Sequence, residues 1–327
     1  MGSHPNQEYE MIAIVGAGSM GSMFGGMLAA AGNDVALVDV DTTHVDAVSQ
    51  QGLVMRDASG IQQVTHPIAT TKLASLGSIS LAFVLTKSWA TADATNALQS
   101  VLTEDGLVIT VQNGLGNDHV LADGLGIVRV LGGTTTAGAQ LVCPGIVTLS
   151  PITSQGRSIT ECAPIAAELL DDPGFAKRAT HAANLLTEAG LPTYIRTSVR
   201  EVIWKKLCLA ATAAPLTAIL RCTVADLLSS ESSLHTLRRM FDEVIAVAYA
   251  EGVQLDAAEI WEHAITTFSN VGAHHTSMAV DVAKGRRTEI DAMSGAISKL
   301  GRLHGIATPV HEVVSMLIHS LEPNAGI

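Results

Sequence analysis

The stretch Met11-Ile12-Ala13-Ile14-Val15-Gly16-Ala17-Gly18-Ser19-Met20-Gly21, followed by a small-residue segment and then Val35-Ala36-Leu37-Val38-Asp39, decides the fold. An apolar run of five residues opens directly into G-x-G-x-x-G, and a second apolar run ends in an acid 23 residues after the first glycine. Strand, glycine turn, helix, strand and acid in that order form the fingerprint of a βαβ unit built to hold a dinucleotide. Gly16 permits the tight turn, Gly18 lets a pyrophosphate approach the backbone, and Gly21 lets the helix pack on the strand. The backbone of Gly18, Ser19, Met20 and Gly21 then lies at a helix N-terminus, where free N–H groups and the helix dipole favour anions. Glycines alone also serve ordinary strand-to-helix turns. The flanking strands and Asp39 are what make the pattern specific.

Working outward, 327 residues suffice for two domains and a large core. Hydrophobic residues make up 47% and aromatics only 3%, so the core rests on Ala, Val, Leu, Ile and Met. The formal charge of −12 argues against non-specific binding to nucleic acid or to an anionic membrane. No apolar run is expected to reach the length of a membrane span: Leu207–Leu220 is short, carries two threonines and Pro215, and suits a buried core helix. Met1–Gln7 reads as a polar leader without signal-peptide character. Cys143, Cys162, Cys208 and Cys222 are scattered without C-x-x-C spacing, which suits buried thiols in a reducing compartment, so the cytosol is expected. The histidines form no H-x-x-x-H pair on a convincing helix, and a metal site is not expected.

The first half alternates β-branched runs (12–15, 35–38, 81–85, 107–111, 127–131) with helical stretches such as 88–102, which implies a parallel, doubly wound sheet. Shorter strands are expected near 134–139, 146–149, 158–160 and 193–195, with a helix over 174–189. Beyond Val199 strand signals stop, and helices are expected at 199–228, 232–252, 256–268, 274–284, 288–304 and 309–320. Gly252, Gly285 and Gly305 fall at helix ends and Pro309 at a helix start. The architecture is therefore a Rossmann-type doubly wound parallel sheet domain over residues 8–197 and an all-helical C-terminal domain over 198–327, with a cleft expected between them.

In an open α/β sheet the ligand crevice lies beyond the carboxyl ends of the strands. Besides the Gly16 loop, Thr86-Lys87-Ser88 and Gln112-Asn113-Gly114-Leu115-Gly116-Asn117 fall at such positions. Lys87 reads either as a phosphate contact or as a solvated loop charge. The second segment reads as a turn using Asn and Gly for positive φ, or as a site loop carrying Asn113. Lys205-Lys206 open a strongly apolar helix, as a snorkelling end or as a buried amine with a task. Glu289, after Thr288, suits a helix N-terminus, where negative charge is stabilised.

Together, G-A-G-S-M-G, T-K-S-W, V-Q-N-G-L-G-N, G-G-T-T-T-A-G-A, W-K-K-L and R-R-T-E-I-D resemble the ketopantoate reductase family, in the family's order and from about residue 11 to 320. The resemblance implies reduction of a 2-oxo acid by a nicotinamide cofactor, and a homodimer. It places the catalytic lysine on Lys206, the asparagine that holds the lysine and the substrate carbonyl on Asn113, the acid on the substrate's hydroxyl side on Glu289, and the serine for its carboxylate on Ser277. Neighbouring Lys205 and an enclosed cleft are both expected to lower the Lys206 pKa.

Two departures stand out. Family members commonly carry asparagines four and eight residues after the lysine, where this chain has Ala210 and Ala214, which puts ketopantoate itself in question as the substrate. His274, where an asparagine is frequent, can supply a replacement contact or be an exposed helix-start residue. Many members also read the 2′-phosphate of NADPH with an arginine after the second strand. Here Asp39-Val40-Asp41 stands, with no basic residue before Arg56, so NAD(H) is expected over NADP(H). The rival readings are reduction of a less polar 2-oxo acid, an imine- or opine-forming enzyme, and a non-catalytic NAD-binding sensor.

Overall fold

The computed structural model describes residues 11–323, so the expected leader Met1–Gln7 and the expected domain start at residue 8 lie outside the described residues. The chain divides into two units. One runs up to Gln112 and resumes over Asn117–Val199; the other takes Asn113–Gly116 together with Arg200 onward.

In the first unit the strands are β1 (Ile12–Val15), β2 (Val35–Val38), β3 (Leu53–Arg56), β4 (Gln62–Thr65), β5 (Ile68–Thr70), β6 (Ile79–Val84), β7 (Leu102–Thr110), β8 (Val130–Thr135), β9 (Ala139–Cys143), β10 (Ile146–Leu149), β11 (Thr160–Pro164) and β12 (Thr193–Ile195). The helices are α1 (Ser19–Ala30), α2 (Thr42–Gln51), α3 (Thr91–Gln99), α4 (Asn117–Leu125), α5 (Pro151–Ser154) and α6 (Pro173–Glu188). Eight strands form the main sheet in the order β12-β11-β8-β7-β6-β1-β2-β5. β1 pairs in parallel with β2 (Ile14 opposite Leu37) and β6 (Ile14 opposite Phe83). The chain therefore leaves β1 on one side and returns on the other, and this reversal of strand order is where doubly wound sheets bind ligands.

Because β1 and β2 are buried along their whole length, they read as continuous apolar runs rather than as alternating ones. The sheet is mixed, however: β11 lies antiparallel to β8. A second sheet, β4-β3-β10-β9, was not expected. Its strand β3 is only four residues long, although Leu53 and Met55 are buried, and β4 is polar and mostly exposed, so their strand signal is weak.

Other expectations are corrected in place. Residues 127–129 form a 3-10 turn and β8 starts only at Val130, with Ile127 and Val128 exposed. The stretch 88–102 holds a 3-10 turn at 88–90 and then α3, and Leu102 already pairs with Ile79 as a strand residue. The strand expected at 134–139 is the end of β8 and the start of β9, and the one expected at 158–160 starts at Thr160.

The second unit holds α7 (Val199–Leu220), α8 (Val224–Ser229), α9 (Glu231–Ala250), α10 (Ala257–Val271), α11 (Ser277–Ala283), α12 (Ser294–His304) and α13 (Pro309–Leu321). The helix expected over 199–228 is broken at Arg221, whose φ of +53° ends α7, and restarts behind the Thr223–Asp226 capping box. The helix expected over 288–304 begins only at Ser294, after a 3-10 turn at Ile290–Ala292. α7 corrects the expectation about apolar length. Its 22 residues are long and apolar enough to cross a membrane, yet most of them are buried. Trp204, Leu207, Cys208 and Ala211 pack with Phe241 and Val244 of α9, which makes α7 the core helix of this unit.

Candidate functional site

In the first unit the glycine turn is fixed from both sides. The Gly16 N–H donates to the Val38 carbonyl (2.8 Å), and a Cβ on Gly16, at φ +94°, would lie 2.5 Å from the Thr86 backbone nitrogen. A Cβ on Gly21 would lie 1.9 Å from the Gly16 carbonyl oxygen, so helix and turn touch without side chains between them. Gly18 is different. It is exposed, it caps α1 without a side-chain hydrogen bond, and no atom lies within 4 Å of its Cβ position. Uncapped first-turn N–H groups with a clear approach fit a diphosphate. Met20 packs against the core, which leaves its backbone as its contribution, and the Ser19 hydroxyl accepts from the Leu141 N–H (2.9 Å).

Sequence reasoning missed the residue that braces this turn. His44 on α2 is buried; its Nδ1 accepts from the Gly145 N–H (3.1 Å) and its Nε2 lies 3.1 Å from the Ser22 hydroxyl, which itself donates to the Ala17 carbonyl (2.7 Å). Burial lowers its pKa, against the pull of Asp39 and Asp41, and a neutral ring suits both contacts. A lone histidine on a half-polar helix gives no sequence signal for this role. Asp39, at the end of β2, is partly exposed and accepts from the Asp41 N–H (2.9 Å); Asp41 caps α2. Lys87 is half-buried at the start of the 3-10 turn Ser88–Ala90.

Gln112 is the second residue whose role was not legible. Buried beyond β7, its amide donates to the Thr86 carbonyl (2.7 Å) and the Thr91 hydroxyl (2.9 Å) and accepts from the Thr110 hydroxyl (2.8 Å), while Thr91 donates to the Asn117 side chain (2.9 Å). The amide orientation follows from its partners. This network holds Gln112 and Asn117 in register with the Thr86 loop. A cavity of about 460 Å³ also exists in this unit, but it opens at the amino ends of β1, β6 and β7 and is lined by Asp34, Glu104 and Asp105. Its lining also holds Arg178 and His181, and it lies at the opposite end of the strands from the Gly16 turn.

In the second unit, Lys206 lies on α7 and is partly buried, and desolvation lowers its pKa below the ordinary lysine value. Lys205 does not contribute to that shift, contrary to expectation. It turns outward and pairs with Glu201 one helical turn earlier (2.6 Å), leaving burial as the cause. Asn113 heads the loop that joins this unit. Gly114 has φ +89°, its Cβ position lies 2.5 Å from the Ala292 carbonyl oxygen, and the Leu115 N–H donates to that same oxygen (2.8 Å).

Asn113 is thereby tied to the turn that carries Glu289. Glu289 is buried, directly before the 3-10 turn Ile290–Ala292, rather than displayed on a helix N-terminus. Ser277 is the first residue of α11, exposed behind its cap Thr276, and Thr276 lies 2.8 Å from Thr217 of α7. One core gathers the neighbours of all four: Leu207, Leu115, Ile290 and Met278 pack in the same cluster. His274 is exposed in the segment before α11, and its carbonyl accepts from the Val224 N–H (3.0 Å). Ala210 is partly exposed, whereas Ala214 is buried in the core and its carbonyl accepts from the Thr217 hydroxyl (2.9 Å).

The family profile described as "Ketopantoate reductase PanE/ApbA" matches residues 12–157, and "Ketopantoate reductase PanE/ApbA C terminal" matches 198–322. A 2-dehydropantoate 2-reductase of Halobacterium salinarum is 31% identical over 94% of this chain and 97% of its own, and one of Streptococcus pyogenes serotype M1 is 28% identical over 95% and 98%. Among solved structures, D-mandelate dehydrogenase with NADH and anilino(oxo)acetate superposes with a TM-score of 0.87 at 29% identity, covering 95% of this chain and 98% of that one. A PanE/ApbA family ketopantoate reductase from Ralstonia eutropha JMP134 gives 0.83 at 27% identity, with 95% and 98% covered. These matches do not favour the rival readings.

Proposed function

The chain belongs to the ketopantoate reductase family, and from that premise we propose that it reduces the ketone of a 2-oxo acid, ketopantoate first among them, with Lys206 as the proton donor. The observation that carries this reading is the desolvated Lys206, whose neighbour Leu207 packs in the same core as Leu115, Ile290 and Met278, the neighbours of Asn113, Glu289 and Ser277. A buried ammonium is a stronger acid than an exposed one, so Lys206 gives up its proton more readily to the alkoxide that develops on the ketone oxygen. Asn113 holds the lysine and the carbonyl, Glu289 accepts from the substrate hydroxyl, and Ser277 meets the carboxylate at the start of α11. After the product leaves, Lys206 regains its proton from water. The Gly16–Gly21 turn would hold the diphosphate of the nicotinamide cofactor, with Lys87 as a further phosphate contact. When bound, the cofactor supplies the hydride.

Asp39 supports NAD(H) over NADP(H), since a carboxylate at the end of β2 binds two ribose hydroxyls and repels a phosphate. The exposed apolar residues Leu303, Val313, Met316 and Leu317 on α12 and α13 support a homodimer, which sedimentation tests. Ala210 and Ala214 put methyl groups where the family commonly has amides, so the deciding experiment is a panel of 2-oxo acids with NADH and NADPH, followed at the nicotinamide absorbance. Ketopantoate is expected to have the highest kcat/KM, and Ala210→Asn, at the more open position, to raise it further. A clear preference for a hydroxyl-free acid such as 2-oxoisovalerate would overturn the choice of substrate. No turnover of any 2-oxo acid would overturn the reading itself.

A further inference from the structure

The Glu289 turn is held from both sides by the end of α13. Glu322 follows the helix and keeps its last turn through its N–H to the Ile318 carbonyl (3.1 Å). Its Oε1 accepts from both the backbone N–H (2.7 Å) and the hydroxyl (2.6 Å) of Thr288, the residue before Glu289. Its Oε2 lies 3.0 Å from His319 Nδ1, and His319 Nε2 lies 3.0 Å from Asp291, two residues after Glu289. Inside the turn, the Ile290 N–H donates to the Thr288 hydroxyl (3.2 Å). Thr288 is buried, and the Glu322 side chain is only 12% exposed. Burial by itself would raise the Glu322 pKa, but the two Thr288 donors and His319 hold it below the ordinary carboxylate range, so this carboxylate is ionised in the folded chain. A largely covered carboxylate taking two short hydrogen bonds from one residue, and a third contact through a histidine that reaches around to the far side of the same turn, is more than a helix end needs.

We propose that Glu322 and His319 are positioning residues for Glu289, fixing through Thr288 and Asp291 the orientation of the acid that meets the substrate hydroxyl. The inference rests on the role given to Glu289 above. Each hydrogen bond to a charged acceptor is worth on the order of ten- to a hundredfold.

The test is a double-mutant cycle on the full chain with ketopantoate and its preferred cofactor. Glu322→Ala and Thr288→Val are each combined with Glu289→Ala, and kcat, KM and melting temperature are measured for every variant. Glu322→Ala alone is expected to lower kcat/KM about ten- to a hundredfold, with the same division between kcat and KM as Glu289→Ala. In the Glu289→Ala background it should change almost nothing. Glu322→Gln, which keeps an oxygen for the Thr288 donors, should recover most of the activity, and the affinity for the cofactor measured by fluorescence should not move. If Glu322→Ala fails to fold, Thr288→Val removes only the hydroxyl and carries the same cycle. Effects that simply multiply in the double variant, or a Thr288→Val variant with unaltered kinetics, would overturn the positioning role while leaving Glu289 in place. An inert Glu289→Ala would instead remove the role assigned to Glu289 and the brace with it.

Discussion

Replacing Gly114 by alanine tests the junction on which Asn113 depends. At φ +89° an L-residue is strained, at a cost of about 1–2 kcal/mol. The new methyl would also stand 2.5 Å from the carbonyl oxygen, 2.6 Å from the Cβ and 2.8 Å from the carbonyl carbon of Ala292. These are mostly backbone atoms that no rotamer change can clear, and overpacking of this kind costs about 1–3 kcal/mol. The loop must then lift away and stretch the Leu115 N–H bond to Ala292, worth about 1 kcal/mol.

Partial relaxation makes these contributions less than additive, and a net loss of about 2–4 kcal/mol is expected, split between stability and the site. A displacement of Asn113 by about 1 Å should lower kcat/KM about a hundredfold. Urea unfolding and steady-state kinetics measure the two shares, and cofactor titration should show little change, because the glycine turn belongs to the other unit. Gly116→Ala is the control: it has φ +92° but no atom within 4 Å of its Cβ position, so it carries the backbone strain without the clash. If Gly114→Ala proves no worse than Gly116→Ala, the contact with Ala292 does not position Asn113 and the reasoning fails.

Lys206→Ala should cost about a thousandfold in kcat with cofactor binding intact, as for loss of a general acid. Lys205→Ala, which breaks only an exposed pair with Glu201, should be nearly silent in the same assay, and the reverse order would show the wrong lysine had been chosen. Asp39→Ala should weaken NADH about ten- to a hundredfold and leave NADPH unaffected or improved, as read by fluorescence titration. NADPH binding more tightly to the unaltered protein would reject the assignment.

His311 is buried, its Nε2–H donates to the Met240 carbonyl (3.0 Å) and its Nδ1 accepts from the Ser294 hydroxyl (3.1 Å), and burial pushes its pKa from 6.5 down to about 4. Below pH 6.5 the unfolded chain takes up a proton that the folded chain refuses, so stability should fall from there to about pH 4, by about 3 kcal/mol at roughly 1.4 kcal/mol per pH unit. Urea midpoints at several pH values should show this component missing from His311→Gln, and an identical slope in both proteins would exclude it.

Legibility tracked local pattern more than burial. β1, β2, β10 and β12 have the bounds their residues announce: β1 and β2 are buried throughout, and β10 and β12 are short β-branched segments bounded by turn signals. Gly252, Gly285 and Gly305 all have positive φ just past a helix, as expected of helix stops. The second sheet was missed because Leu53–Arg56 is only four residues long and ends in an arginine, and Gln62–Thr65 is polar and exposed up to Thr65. At the site, position beyond a strand pointed to Asn113 and only the family resemblance pointed to Lys206 and Glu289; Glu289 read on residues alone as a helix start, and the late onset of α12 shows it buried ahead of a turn. Gln112, His44 and Glu322 act through partners 20 or more residues away, and no local pattern encodes such pairings.

The excursion of Asn113–Gly116 into the second unit means that the polypeptide passes from one unit to the other three times, at 112/113, 116/117 and 199/200. No single cut releases either unit with all its parts. Expressed alone, residues up to 199 would carry a tetrapeptide without its receptor, and residues from 200 would lack the strand of chain that caps Ala292. The same holds for recombination between relatives. A chimera spliced only at 199/200 would seat one parent's Leu115 against the other parent's Ala292, so the tetrapeptide has to be transplanted with the helices. The tetrapeptide that seats Leu115 against Ala292 is thus the reason these two units must be inherited as one.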